Sequence, residues 1–339
     1  MKKNIIIAIL AFFITAPFGI CSEIDVLPTM ESKSDVQDRV WVGTFQLIWN
    51  DLMDKLVFGE VKFIGGTPDV VNELNKREFT TKNISEKSYY KYFGKQTPRA
   101  KATIEKAIKK KFNETSDILD EFNWSPHSNA FILYAMLKKD FQFINEFDKL
   151  GKSKFRDKSA EYFGVSRHSD NKLREGVRVL FYNSPEDFAV ALDTVGEDEV
   201  YLYKTPNTKP FNLIYSDMLK KEQAYDGNIR LAPIDALKVP NIKFFEEKSF
   251  DELTGQRIRG TQLIIDKAIE TVKFEMNNQG VKLKSEAAMS VRLTSAGPGR
   301  EPKPRLFYLN DTFVMFIKEK KQDIPYFALR VHDIAKFSK

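Results

Sequence analysis

The chain has 339 residues, of which 42% are hydrophobic and 29% charged, and carries a formal charge of +6. That is enough apolar material for a sizeable core and excludes a disordered chain. Acidic and basic residues are mixed along the length, so the surplus forms no basic stripe and no nucleic-acid partner is expected.

The first residues, MKKNIIIAILAFFITAPFGICSE, set Lys2 and Lys3 ahead of an apolar stretch from Ile5 to Ile14, with small residues at Gly19 and Cys21 before Ser22 and Glu23. This is the pattern of a secretory signal peptide over residues 1–21, which points to a secreted or periplasmic, cell-envelope location. Pro17 interrupts a stretch already short for a permanent membrane span. Lipidation of Cys21 is a further alternative that would give a membrane anchor, with the bulky Ile20 standing against it. Cleavage after Cys21 removes the only cysteine, so neither disulfides nor thiolate chemistry are expected.

Residues 22–34 read as a polar spacer and residues 35–339 as a single domain. DVQDRVWVGTFQLIWNDLMDKLVF spaces Val36, Val40, Phe45, Ile48, Leu52 and Leu56 as an amphipathic helix does. VKFIGG then reads as a short strand, and Thr67-Pro68 as the opening of a helix over PDVVNELNK. The same device at Thr97-Pro98 opens RAKATIEKAIKKKF, whose basic run Lys106–Lys111 is a solvated helix face. With a short helix at SDILDEF, the first third is expected to be mainly helical.

NAFILYAMLKKDFQFINEF mixes strand and helix signals. GVRVLFYN, DFAVALDT and DEVYLYKT are three strands separated by turn signals at Asn183-Ser184-Pro185 and Gly196. ALKVPNIKFF reads as one further strand, with Pro240 marking an edge or a bulge. VKFEM is a strand, and RLFYLNDTFVMFIKEK and PYFALRVHDI supply the closing ones. Helices first and strands after give an α+β class, with a helical N-terminal part packed on mainly antiparallel sheets.

Between VKFEM and the closing strands lies the run VKLKSEAAMSVRL, Val281–Leu293, in which every odd position is apolar or small and nearly every even one polar. A strand with one buried face requires that period. The run passes into SAGPGREPKP, whose glycines and prolines forbid continued pairing. An ordinary edge-strand hairpin is the plain alternative.

Catalytic signatures are absent from the sequence. His127, His168 and His332 stand at no metal-ligand or nucleophile–base spacing, and there is no GxSxG, GxGxxG or Walker loop. Gly65-Gly66 is a strand-ending turn. Glu197, Asp198 and Glu199 fall in a turn between strands, where solvated charges are the usual finding. No cofactor and no enzymatic activity are expected.

The segment IIDKAIETVKFEMNNQGVKLKSEAAMSV resembles the part of a serpin in which a strand of the central sheet passes through a glycine into the hinge of the reactive-centre loop. TFVMFIKEKKQDIPYFALRV resembles that family's paired C-terminal strands, and NAFILYAMLKKDF its Asn-Ala strand motif, at Asn129, Ala130 and Phe141. ALKVPNIKF resembles a strand placed before the hinge. The resemblance implies a divergent, shortened, bacterial-type serpin in which a protease cuts an exposed loop at 281–304 and the N-terminal half of that loop inserts into a sheet. It implies a hinge at Gly280, Val281, Leu283, Ser285 and Ala287 and a scissile bond near Thr294 and Ser295, with Arg292 and Arg300 as further recognition points. The partner would be a protease, for an inhibitor or a protease-sensing decoy. Leu283, Lys284 and Glu286 depart from the small residues that inhibitory members carry after the hinge glycine. The departure favours the alternative of a non-inhibitory secreted or envelope binding protein, and a hydrolase on an unrelated fold is the third reading.

Overall fold

The computed structural model describes residues 24–281 and 304–338. The proposed signal peptide and most of the alternating run fall outside them.

In chain order the first elements are strands β1 (Asp25–Leu27) and β2 (Arg39–Val42), then helices α1 (Thr44–Leu52) and α2 (Asp69–Asn75). Strand β3 (Tyr89–Lys95), helix α3 (Pro98–Phe112) and strands β4 (Phe131–Leu137) and β5 (Phe141–Gln142) follow. Next come β6 (Asp148–Phe155), β7 (Lys158–Val165), α4 (Asn171–Glu175), β8 (Val177–Ser184), β9 (Asp187–Asp193), β10 (Asp198–Lys204) and α5 (Phe211–Ala224). The remainder is all strand until a last 3-10 turn: β11 (Ala236–Pro240), β12 (Ile242–Ser249), β13 (Ile269–Met276), β14 (Gly280–Val281), β15 (Leu306–Tyr308), β16 (Phe313–Glu319) and β17 (Phe327–Val331). The fold is α+β, with a few helices on sheets that are mainly antiparallel.

The largest sheet has seven strands in the order β1-β2-β17-β16-β10-β9-β8, and a second has four in the order β15-β11-β7-β6. Alternation and short turns make β8, β9 and β10 a meander, as their sequence requires. β16 and β17 close the large sheet beside β10. Its inner residues Val314, Met315, Phe316, Ala328 and Leu329 have no exposed surface. Helix α5 lies on this sheet through Phe211, Ile214, Tyr215 and Met218, with the Tyr215 ring 5.0 Å from that of Phe316.

Three further pairs complete the sheets: β3 with β4, β12 with β13, and β14 with β5. Helix α3 opens as the sequence expects, the Thr97 side chain accepting from the Ala100 amide, and ends on Asn113 in a left-handed conformation. Its Ala100, Ile104 and Ile108 cover Ile132 and Tyr134 of β4. Helix α1 packs on the opposite face of β4, where Phe45, Trp49 and Leu52 meet Leu133.

Several sequence expectations are corrected. Residues 24–34 are not a spacer: β1 pairs parallel with β2, and Ile24, Val26, Leu27 and Met30 are core residues. The expected helix over 35–58 begins only at Thr44, because Val40-Trp41-Val42, two β-branched residues about an aromatic one, joins β17 instead. The first third, expected to be mainly helical, also holds the strand β3, for which no element was expected, while VKFIGG contributes a single bridge, Phe63 to Ile258. ALKVPNIKFF is two strands in different sheets, parted after Pro240. Asp198 is not a solvated turn residue but is buried.

Candidate functional site

The geometry at Gly280 follows from one tight turn. β13 ends at Met276, and Asn277 and Gly280 exchange backbone hydrogen bonds at 3.1 and 3.3 Å, so the chain reverses within four residues. Gly280 has φ +153°, and a Cβ there would lie 2.3 Å from the Phe141 carbonyl oxygen. Only glycine fits so close a backbone approach. Gly280 and Val281 then run antiparallel to β5, facing Gln142 and Phe141. The Phe143 amide donates to Gln279 O and the Phe147 amide to Asn278 O, both at 2.9 Å. Val281 is 5% exposed.

Below that turn the two neighbouring ribbons part. Among the described residues β4 is paired only with β3, and β13 only with β12, along their whole lengths. Each therefore presents a row of backbone donors and acceptors to the space between them. That space is a cavity of about 540 Å³, walled by β4 and β13 and floored by Phe45, Ile48, Trp49 and Leu52 of α1. Val281 and Phe141 stand at its upper end. β13 turns Glu270, Val272, Phe274 and Met276 inward, and the Phe274 ring stacks on Phe327 of the large sheet at 4.6 Å.

A buried ionic cluster pins the top of β4 and β5 to the large sheet. Asp198 of β10 lies directly across from Glu319 of β16. Two facing carboxylates repel, and Lys139, between β4 and β5, answers both, with Nζ 2.8 Å from Asp198 and 2.5 Å from Glu319. The Tyr326 hydroxyl donates to Asp198 at 3.0 Å, and the Ser85 amide donates to Glu319 at 3.0 Å. Burial would raise the Glu319 carboxyl, but the bonds from Lys139 and the Ser85 amide prevail and hold it below its ordinary range. Burial and the Asp198 charge raise the Tyr326 phenol well above its usual value.

The inward-facing acid on β13 is answered differently. Glu270 is 4% exposed and accepts from the Thr44 hydroxyl at 2.6 Å, at the start of α1. Its other oxygen, Oε2, is buried without a hydrogen-bond partner. Burial pushes this carboxyl up to about 8, against the bonds from Thr44 and the Phe45 amide.

Of the residues assigned to a hinge, Gly280 and Val281 lie at the mouth of the cavity, whereas Leu283, Ser285, Ala287, Thr294 and Ser295 fall outside the described residues. The three histidines lie apart from the cavity. His127 and His168 are exposed, and His332 is bound to Arg156 and Thr312, its pKa lowered by burial and by Arg156. Among the described residues no cluster of His, Cys, Asp and Glu could hold a metal, and no helix is long and apolar enough to cross a membrane. Sequence reading missed Glu270, although a signal existed: in IETVKFEM it shares the parity of Val272, Phe274 and Met276. Lys139, Asp198 and Glu319 gave no such signal.

No family model and no curated protein matches the chain. Among solved structures it is similar to Serpin48, a serpin of the insect Tenebrio molitor, with a TM-score of 0.49 and 11% identity over 88% of this chain and 92% of that one. It is similar also to thyroxine-binding globulin in complex with thyroxine, with a TM-score of 0.43 and 11% identity over 69% of this chain and 64% of that one. Human glycosylated kallistatin gives a TM-score of 0.42 and 14% identity over 70% of this chain and 64% of that one.

Proposed function

We propose that the chain is a secreted or cell-envelope, serpin-like protein that acts without enzymatic chemistry, as a protease inhibitor or protease-sensing decoy. In this reading the run from Val281 enters the cleft between β4 and β13 as an additional strand once the following loop is cut. The observation that carries it is the hairpin at Asn277–Gly280, which turns the chain back from β13 and lays Gly280 and Val281 on β5 at the mouth of that cleft.

Both walls favour the same register. Continued down β13, the register set by Asn277 and Gly280 would bring Leu283 opposite Phe274, Ser285 opposite Val272 and Ala287 opposite Glu270. Continued down β5 and β4, the register set by Val281 and Phe141 would bring Ser285 opposite Leu137, Ala287 opposite Ala135 and Met289 opposite Leu133. Directly opposed residues share a face of the sheet. Those positions of β13 and β4 face the core and α1, so the apolar or small odd residues of the run would be buried and its lysines would not.

Limited proteolysis between Met289 and Arg300, followed by thermal unfolding of the nicked protein, tests this. Insertion predicts a rise in Tm of about 10 °C or more, several kcal/mol for a chain of this size. An unchanged or lowered Tm in the nicked protein rejects insertion. One observation favours a second reading, a non-inhibitory binding protein: the same register sets Lys284 against Lys273, a like-charge pair that would slow entry. Failure to trap any serine or cysteine protease as a covalent complex, with the Tm rise intact, would select that reading.

A further inference from the structure

The cavity has a chemical character that a strand does not exhaust. Its floor is apolar and aromatic, with the Phe45 and Trp49 rings 6.5 Å apart and inclined at 29°, and Leu133 across from them, while charged and polar residues share the walls. Glu270 belongs to its wall, and Oε2 of that carboxyl has no donor. Among the described residues no cation answers it. Lys248, across from Glu270 on β12, bonds Asp25. Of the lysines in the cavity wall, Lys138 bonds Glu114, Lys139 bonds Asp198 and Glu319, and Lys267 bonds Glu121. Lys273 and Glu275 stand on the other face of β13, and α1 offers only the Thr44 hydroxyl and the Phe45 amide. A buried carboxylate with no cation is costly, so the bare site keeps a proton at neutral pH. An incoming ammonium group would take that proton's place, beside aromatic rings whose faces attract cations.

We propose that this cavity is a binding site for a lipophilic ammonium compound, an alkyl or aryl primary amine whose charged head pairs with Glu270 and whose tail lies against Phe45, Trp49 and Leu133. A volume of about 540 Å³ suits such a small, mostly apolar ligand with one charged group. The site is composed of α1, β4 and β13 and is open while no strand lies between them, as in the uncut chain.

The probes are 2-phenylethylammonium and its neutral counterpart 2-phenylethanol, titrated into the uncut full-length chain by calorimetry. The native protein should bind the ammonium about tenfold or more tighter than the alcohol. Glu270→Gln keeps an acceptor for Thr44 but removes the charge, and should lose that preference while still binding the alcohol. Equal binding of the two probes by the native protein, no binding of either, or an unchanged preference in Glu270→Gln would overturn the proposal. Should the variant fail to fold, the native pH profile decides. Ammonium affinity should climb between about pH 6 and 8 as Glu270 gives up its proton while alcohol affinity stays level, and a flat ammonium profile overturns the proposal. The nicking experiment requires no amine, so failure of either idea leaves the other standing.

Discussion

The seven-stranded sheet and the split ribbons β3–β4 and β12–β13 use similar apolar strands to different ends. In the large sheet β16 is paired on both edges, with β10 and β17, and its residues Phe313 to Phe316 have no exposed surface. β4 and β13 are each paired on one edge among the described residues, and Phe131, Leu133 and Ala135 of β4 remain half-buried. One sheet has satisfied its hydrogen bonds and its packing, whereas the other leaves two edges and a cavity between them. Regions of lower packing are where a fold can change arrangement. The large sheet is the closed frame, and the parted ribbons are the region that the proposed strand would fill.

The joint between the two regions rests on Lys139. Lys139→Met leaves Asp198 and Glu319 facing each other, buried, with only the Tyr326 hydroxyl and the Ser85 amide to answer them. The cost should be about 3 kcal/mol at pH 7, measured by urea unfolding. The Glu319 carboxyl is held below its ordinary range in the fold, so its contribution is present above the unfolded carboxylate pKa and lost as pH falls through its lowered value. The difference between native and variant should shrink on acidification accordingly. A loss under about 0.5 kcal/mol would mean that the ribbons do not depend on this joint.

Glu270 has the opposite sign and tests the parted side alone. Its folded pKa is about 8, above the ordinary value of 4.5, so the folded state holds a proton that the unfolded chain has released between those limits. Stability from this group is whole below about pH 4.5 and declines as pH rises toward 8. Glu270→Gln should therefore lie close to the native protein near pH 5 and exceed it by about 4 kcal/mol near pH 8.5, read from chemical unfolding at both values. Equal stability at the two pH values would place Glu270 in contact with water or a cation.

The frame was far more legible in the sequence than the cleft. β8, β9 and β10 announce themselves by alternation and turns, and α3 by Thr97-Pro98, because local chemistry alone decides them. β2 was hidden because Val36 and Val40 fit a helical spacing, and only the edge of β17 decides against it. β3 was passed over although Tyr89, Tyr90, Tyr92 and Phe93 favour a strand, which pairing with β4 then completes. Gly280 could be singled out from the run that follows it, but the cavity could not, since it arises from what β4 and β13 fail to pair with. Lys139, Asp198 and Glu319 are distant in sequence, and no local pattern joins them.

A large-to-small substitution placed in each region measures the difference directly. Phe316→Ala in the frame should cost about 4 kcal/mol, as ring removal from a closed core does. Leu133→Ala in β4 should cost only about 1 kcal/mol in the uncut protein, because the side chain is half-buried beside an existing cavity and little new void is created. If a strand fills the cleft after nicking, Leu133 becomes enclosed and the same deletion should cost about 2–3 kcal/mol in the nicked form. The unfolding midpoints of the four species, native and L133A, each uncut and nicked, give this change as a coupling energy. A cost that is equal before and after nicking would show that β4 gains no neighbour, and a cost matching Phe316→Ala in the uncut protein would show that the ribbons are as closed as the frame.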